Sequence, residues 1–315
     1  MGLNKTKIAI IGAGYMADEY LKVLSQLKNI EIVGICNRTR KNSLKLKKKY
    51  GIEQDFNNIR EMYKVTKPDG VIIALSPDIL IKKINQIFDH NCKFLFEKPI
   101  GINLKESNLI KSIVNRKNIK AYIGLNRRYY SSTKYLIRKI KNSKNKNRIV
   151  EVEDQEDQIK NKNIFSKRIL DNYMYVNSIH LIDYFNILCR GKIKKIIKFN
   201  KWKNKERNIY TCYLYFSSGD LGIYRAVWNI PAPWSVKVYL KNGMYTLKPI
   251  EKLLFRKVNS KIDEKIKINY TNDKKFKPGI KLQTIDFIKE INNKPSNIVK
   301  ISESFKLMNM INKIY

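Results

Sequence analysis

A chain of 315 residues is longer than one hydrophobic core commonly fills, so two domains are expected, each with its own apolar interior. Apolar residues make up 43% and aromatics 11%, which excludes a disordered chain, and no run approaches the roughly 18 uninterrupted apolar residues of a membrane span. Lysine and arginine number 64 against 27 acidic residues, a formal net charge of +37, but the lysines are spread along the whole chain with asparagine and isoleucine, so the charge reads as compositional background and not as a specific nucleic-acid surface.

Residues 1–5 show neither an apolar signal core nor a cleavage site, from which a cytoplasmic protein is expected. Residues 7–11 form a β-branched run ending at Gly12, and residues 15–27 then carry apolar side chains at helical spacing. Strand and helix keep alternating: strand 31–36, helix 41–50 stopped by Gly51, strand 70–75, helix 79–89, strand 93–96, helix 104–116, strand 120–124. That order predicts a parallel sheet covered on both faces. After Asn126 the texture changes. A helix at 132–141, an Asn/Lys-rich turn at 142–147 and a strand at 148–153 precede a helix at 176–188 ended by Gly191. Strands then dominate at 194–200, 209–216, 221–228, 235–240, 253–257 and 265–270, with turns at 217–220 and 242–243, and helices at 280–292 and 302–313 finish the chain. Cys36, Cys92, Cys189 and Cys212 are far apart without a Cys-x-x-Cys, so neither a disulfide scaffold nor a metal site is expected.

Gly12-Ala13-Gly14-Tyr15-Met16-Ala17 fits G-x-G-x-x-A between the first strand and the first helix. The first glycine permits the tight turn, the second leaves room for backbone to approach a pyrophosphate at the helix N-terminus, and Ala17 keeps helix and strand close. At the end of the second strand, where an acidic residue would accept bonds from the ribose 2′-OH, the chain has Asn37-Arg38-Thr39-Arg40. Its donors and cations suit a 2′-phosphate and favour NADP(H) over NAD(H), with an exposed arginine pair of a lysine-rich protein as the competing reading.

With that glycine turn, Glu97-Lys98-Pro99 after the strand ending at Phe96 resembles the glucose-fructose oxidoreductase, inositol dehydrogenase and rhizopine-catabolism family (Gfo/Idh/MocA). The likeness extends over nearly the whole chain, through Gly70-Val71-Ile72-Ile73-Ala74 before Ser76-Pro77, Gly124-Leu125-Asn126-Arg127-Arg128-Tyr129, His180-Leu181-Ile182-Asp183 and Asp286-Phe287. It implies an α/β Rossmann domain with a doubly wound parallel sheet over residues 1–124, followed by an α+β domain with an open, mostly antiparallel sheet over 125–315 for substrate binding and oligomerisation. It also implies an NAD(P)-dependent dehydrogenase or reductase, a homo-oligomer (dimer or tetramer), that moves hydride between the nicotinamide and a secondary alcohol or ketone of a sugar, cyclitol or nucleotide sugar. Surface polysaccharide assembly is a setting that would suit a nucleotide sugar.

Such chemistry wants a cation to stabilise an alkoxide and a group to exchange the hydroxyl proton. By resemblance Lys98 lies beside the nicotinamide and His180 is the acid/base, with Ser76, Pro77, Glu97 and Pro99 also on the cofactor. A solvated lysine and a packed helix histidine are the competing readings, and His90 is most simply structural. Where the family commonly has an acidic residue four positions before the histidine, this chain has Val176; Tyr175, Asn177 and Asp183 are neighbours able to share its task. Asn126, Arg127, Arg128, Tyr129 and Trp234 complete the candidate substrate contacts, although for Trp228 and Trp234 a core or subunit-interface role weighs at least as much. The departure at Val176 keeps a second reading open, a catalytically silent NADP-binding sensor or accessory subunit.

Overall fold

The structure, a computed structural model, describes residues 5–141, 147–203 and 206–315; residues 1–4 and the centre of the turn expected at 142–147 lie outside the described residues. The chain begins with β1 (Thr6–Ile11), α1 (Tyr15–Leu24), β2 (Ile30–Cys36), α2 (Arg40–Tyr50), β3 (Asp55–Phe56), α3 (Ile59–Thr66), β4 (Gly70–Ile73), α4 (Pro77–Ile87), β5 (Lys93–Glu97), α5 (Leu104–Arg116) and β6 (Ala121–Gly124). There follow α6 (Ser131–Lys141), β7 (Ile149–Glu156), α7 (Lys167–Asp171), a π-helical turn at Met174–Ser178 and α8 (Ile179–Leu188). Next come β8 (Ile193–Lys198), β9 (Asn208–Phe216), β10 (Leu221–Trp228), β11 (Ser235–Leu240), β12 (Gly243–Leu247), β13 (Leu253–Lys257) and β14 (Glu264–Lys265). The chain closes with α9 (Thr271–Lys275), α10 (Ile280–Ile291), β15 (Val299–Lys300) and α11 (Ile301–Ile314).

Two compact units result: the first runs to Asn126 and takes in Asn272–Phe305, and the second comprises Arg127–Thr271 with Lys306–Tyr315. The division expected between residues 124 and 125 thus meets a different boundary, because a late segment returns to the first unit. Its α10 buries Ile280, Gln283, Thr284 and Phe287 there, with the Phe287 ring edge-on to Tyr122 and Ile291 filling the space that a side chain at Gly70 would need.

In the first unit the sheet order is β15-β6-β5-β4-β1-β2-β3, parallel throughout except for β15 against β6. β4 and β6 are buried at every position, as an apolar run without alternation requires when helices cover both faces. Chain order reverses between β1 and β4, and open α/β sheets bind ligands outside the carboxyl ends of strands at such a point.

The second unit holds a sheet of order β14-β13-β12-β11-β7-β10-β9-β8, antiparallel except for the parallel pair β7 and β10. Along β7 the residues Val150, Val152, Asp154 and Glu156 face inward while their neighbours face out. Helix α8 is buried nearly all round, and Gly222 on β10 admits the Phe185 ring, whose edge lies 2.9 Å from where a Cβ would be.

Several elements depart from expectation. β3, β12 and β15 and helices α3, α7 and α9 are absent from the sequence expectation; the two-residue strands are too short to leave a period, although Asn58, which accepts from the backbone N–H of Arg60 and Glu61, offers a readable cap for α3. The strand expected at 265–270 is confined to Glu264–Lys265, and the helix expected from 176 begins as the π turn.

Asp220, 1% exposed, ties several of these elements together. It accepts from the backbone N–H of Arg148 (2.9 Å) and Arg190 (2.8 Å) and from Arg190 Nη2 (2.6 Å), while Arg148 donates to the carbonyls of Ile140 and Leu188 at the ends of α6 and α8. Burial alone would raise its carboxyl, but the Arg190 side chain and the two backbone donors outweigh that and hold it below the usual carboxylate range. A depressed carboxyl stabilises the fold above its unfolded value and ceases to do so as pH falls through the folded value. Asp220→Asn should therefore cost about 2–3 kcal/mol at neutral pH and shrink the acid-side loss of stability, both read by urea unfolding across pH.

Candidate active site

In the first unit the glycine turn is built by sterics. Gly12 sits at φ +108°, and a Cβ there would lie 2.3 Å from the Ala74 carbonyl oxygen after β4. Only glycine lets β1 turn into α1 so close to that strand. Gly14 differs: it is the N-cap of α1 with φ −91°, and a Cβ there would meet nothing within 4 Å. Ala17 is fully buried against the sheet, and Tyr15 is 65% exposed with the Lys277 ammonium over its ring at 5.1 Å.

Helix capping separates two classes among α1 to α5. α3 and α5 are capped by the side chains of Asn58 and Asn103, whereas α1, α2 and α4, which leave the carboxyl ends of β1, β2 and β4, have Gly14, Thr39 and Ser76 at the N-cap with no side-chain cap. Pro77 opens α4 at its first position. Three N-termini with uncapped first-turn donors around the strand-order reversal form an anion-favouring rim, and the open space at Gly14 leaves room for a pyrophosphate. The residues present thus fit a dinucleotide.

At the end of β2, Asn37 folds back on the Thr39 carbonyl (2.8 Å), and Arg40 makes a two-point contact with Asp55 (3.1 and 3.3 Å). Arg38 is exposed. Both arginines are exposed, and of the pair Arg40 is the one held by a carboxylate of the chain.

At the end of β5, Glu97 accepts from Tyr20 Oη at 2.5 Å, and Gln283 Nε2 donates to the same hydroxyl at 2.7 Å. Burial pushes the Glu97 carboxyl up, and the Tyr20 bond with the charges of Lys98 and Lys277 recovers only part of the cost. Lys98 and Pro99 follow, half-buried and buried, joined by a cis peptide bond. Asn126 ends this stretch buried, its amide donating to the Pro278 carbonyl at 3.0 Å, which is a structural contact. Tyr20, Gln283 and Lys277 escaped the sequence reading because no local pattern links positions so far apart.

In the second unit His180 lies on α8 and is 8% exposed. Arg128 and Asp183 neutralise each other through bonds of 2.6 and 2.5 Å, so this pair is built as a structural clamp between the turn at Asn126–Tyr129 and α8. Tyr129 and Tyr175 are buried, Tyr175 Oη donating to Asn312 Oδ1 at 3.0 Å. The Arg127 guanidinium lies 4.1 Å over the Trp234 ring, and Trp234 Nε1 donates to the Gln155 carbonyl. Trp228 is fully buried among Tyr173, Trp202 and Tyr315 and belongs to the core. Asn177 donates to both oxygens of Glu156, at 2.9 and 2.7 Å. Glu156 and Asp154 were missed in the sequence although they continue the inward phase of Val150 and Val152; the acidic residues in the outward phase masked that signal.

Among the described residues no group of three His, Cys, Asp or Glu could hold a metal ion, and no helix is long and apolar enough to cross a membrane. Comparison with known proteins matches residues 6–125 to the family described as oxidoreductase family, NAD-binding Rossmann fold. A glucose-6-phosphate 3-dehydrogenase of Bacillus subtilis (strain 168) is 34% identical over 126 residues, 40% of this chain and 35% of the relative, so the match spans about a third of that protein's length. A dehydrogenase from Chromobacterium violaceum has a TM-score of 0.81 at 14% identity, covering 99% of this chain and 95% of its own. A UDP-N-acetylglucosamine 3-dehydrogenase from Acidithiobacillus ferrooxidans has a TM-score of 0.76 at 12% identity, covering 98% and 96%. At these identities the two structures share the fold.

The two glycines separate folding from binding. Gly12→Ala should destabilise the protein by about 3 kcal/mol or more through backbone strain and the clash with Ala74. Gly14→Ala should cost less than about 1 kcal/mol yet weaken the dinucleotide at least tenfold, because its methyl enters the pyrophosphate space. Thermal melts with and without cofactor, alongside a fluorescence titration, read both effects.

Proposed function

We propose, on the match of residues 6–125 to an oxidoreductase family with an NAD-binding Rossmann fold, that the protein is a Gfo/Idh/MocA-type dehydrogenase that oxidises a secondary alcohol of a sugar or reduces the matching ketone, with NADP(H) preferred. The observation that carries the reading is the glycine turn at the point of strand-order reversal, with α1, α2 and α4 starting there without an N-cap side chain on their first-turn donors. Gly12, Gly14, Tyr15, Met16 and Ala17 would hold the pyrophosphate, Ser76 and Pro77 the α4 side of the rim, and Arg38 with Asn37 and Thr39 the 2′-phosphate. When bound, the nicotinamide supplies hydride acceptance or donation.

The chain's own residues have separate tasks. Lys98, directly after β5 and held next to a carboxyl that burial keeps from ionising easily, places its charge where an alkoxide develops. His180 exchanges the hydroxyl proton. Two of the three relatives described above are 3-dehydrogenases, of glucose 6-phosphate and of UDP-N-acetylglucosamine, which supports a phosphate-bearing sugar as substrate, free or nucleotide-linked. Commitment of Arg128 to Asp183 leaves Arg127 as the arginine of that stretch not held in an ion pair among the described contacts. A homo-oligomer is part of the same proposal; exposed Ile149, Ile209 and Tyr215 on the outer face of the second sheet support it. The silent-sensor reading stays distinct through Val176, and turnover decides between them.

NADPH should bind more tightly than NADH in direct titration, and Arg38→Ala should weaken NADPH about tenfold while sparing NADH. Equal affinities would remove the NADP assignment. In a screen of sugar phosphates, nucleotide sugars and cyclitols with both cofactors, Lys98→Met and His180→Ala should each lower turnover roughly a hundredfold with cofactor affinity retained. Absence of wild-type turnover across the panel would favour the cofactor sensor.

A further inference from the structure

The second unit contains a buried cluster that the hydride chemistry above does not use. Asp154 is 0% and Glu156 3% exposed, two residues apart on the inward face of β7 with their carboxyls close enough to interact. From the π turn, Asn177 donates to both Glu156 oxygens. From β10, Tyr224 Oη donates to Asp154 at 2.6 Å and also meets the Tyr315 hydroxyl at 2.6 Å. Tyr173 faces the same carboxyls. The cation interacting with the pair is Arg127, held under Trp234, and its Nη1 is buried with no hydrogen-bond partner among the described residues.

Charge balance decides the state of this cluster. Two buried carboxylates beside one guanidinium would leave an uncompensated charge in a low-dielectric interior, while one proton on the pair closes the balance. Two interacting buried carboxyls cannot both ionise easily, and their titration belongs to the pair. Glu156 is the better proton carrier: burial and the neighbouring Asp154 charge push it well above the carboxylate range despite the Asn177 bonds, while the Tyr224 bond and the Arg127 charge favour the ionised form of Asp154.

We propose that Asp154 and Glu156 share one proton at neutral pH and act, through Asn177, as positioning residues for His180. Asn177 lies three residues before His180, in the wider turn that leads into α8, so the carboxyl pair sets where the helix begins. π turns of this kind recur at functional sites, and here the turn carries Asn177 onto Glu156 of β7. Loss of the shared proton would place a second negative charge beneath the turn and alter its hold on Asn177. The cluster is therefore an alkaline-side switch on the orientation of His180.

The structural part is tested without activity, and only the effect on turnover rests on the dehydrogenase reading. Infrared spectra at neutral pH should show a protonated-carboxyl band in wild type that is lost in Glu156→Gln; no difference between the two would overturn the shared proton. The chain has two histidines, so His90→Asn assigns the His180 ring signals in a histidine-labelled sample. In wild type those signals should shift again above neutral pH as the pair ionises, and in Glu156→Gln, whose amide cannot ionise, that second shift should vanish. An identical alkaline shift in both would overturn the coupling. Glu156→Ala, which removes both acceptors of Asn177, should lower kcat about tenfold to a hundredfold with cofactor affinity unchanged. Normal kcat in a folded Glu156→Ala protein would overturn the positioning role, whereas a wild type without turnover would defeat the dehydrogenase reading and leave the infrared and NMR outcomes standing.

Discussion

The close approach of Gly12 to the Ala74 carbonyl is the constraint from which the first unit is organised. A side chain at that point would force β1 and β4 apart at their carboxyl ends, where the order of strands reverses. With no side chain there, α1 and α4 start from adjacent strands with their N-terminal dipoles directed to the same crevice. The neighbouring Gly14 meets no such steric demand within the chain, so its smallness serves a ligand and not the fold. Two glycines two positions apart thus answer to different physical requirements.

Buried carboxyls are handled in three ways, and the choice separates scaffold from chemistry. Asp220 and Asp183 are paired with arginines, Arg190 and Arg128, and fasten elements together. Glu97 has a tyrosine in place of a full counter-ion and is held up by burial beside Lys98. Asp154 and Glu156 outnumber their arginine and reach neutrality by keeping a proton. The arginine clamps make joints, while of the incompletely compensated carboxyls Glu97 directly precedes Lys98 and Glu156 holds Asn177, three residues before His180.

How much could be read in advance depended on the range of the signal. The alternation of buried runs and amphipathic helices announced a parallel α/β sheet, and the Gly12–Ala17 motif announced its ligand crevice, because both are encoded within a few residues. Strands β3 and β15 were invisible, since two residues carry no period. Arg128 and Asp183 were both read as substrate contacts on their position in sequence, and their mutual ion pair across 55 residues is a tertiary fact. Asp154 and Glu156 stood in the inward phase of β7, but acidic residues on both phases hid which ones would be buried.

Fold class, the glycine turn and the residue types available for hydride and proton chemistry follow from local sterics and periodicity and are legible along the chain. Which charges are paired within the chain follows from packing between distant segments. Whether Arg40 binds Asp55 or a 2′-phosphate, and whether Glu156 keeps its proton, depends on the partners that strands and helices bring within hydrogen-bond reach from distant positions. Such packing also decided that Asn272–Phe305 belongs with the Rossmann unit, because Phe287 and Ile291 find their apolar partners at Tyr122 and Gly70, far back in the chain.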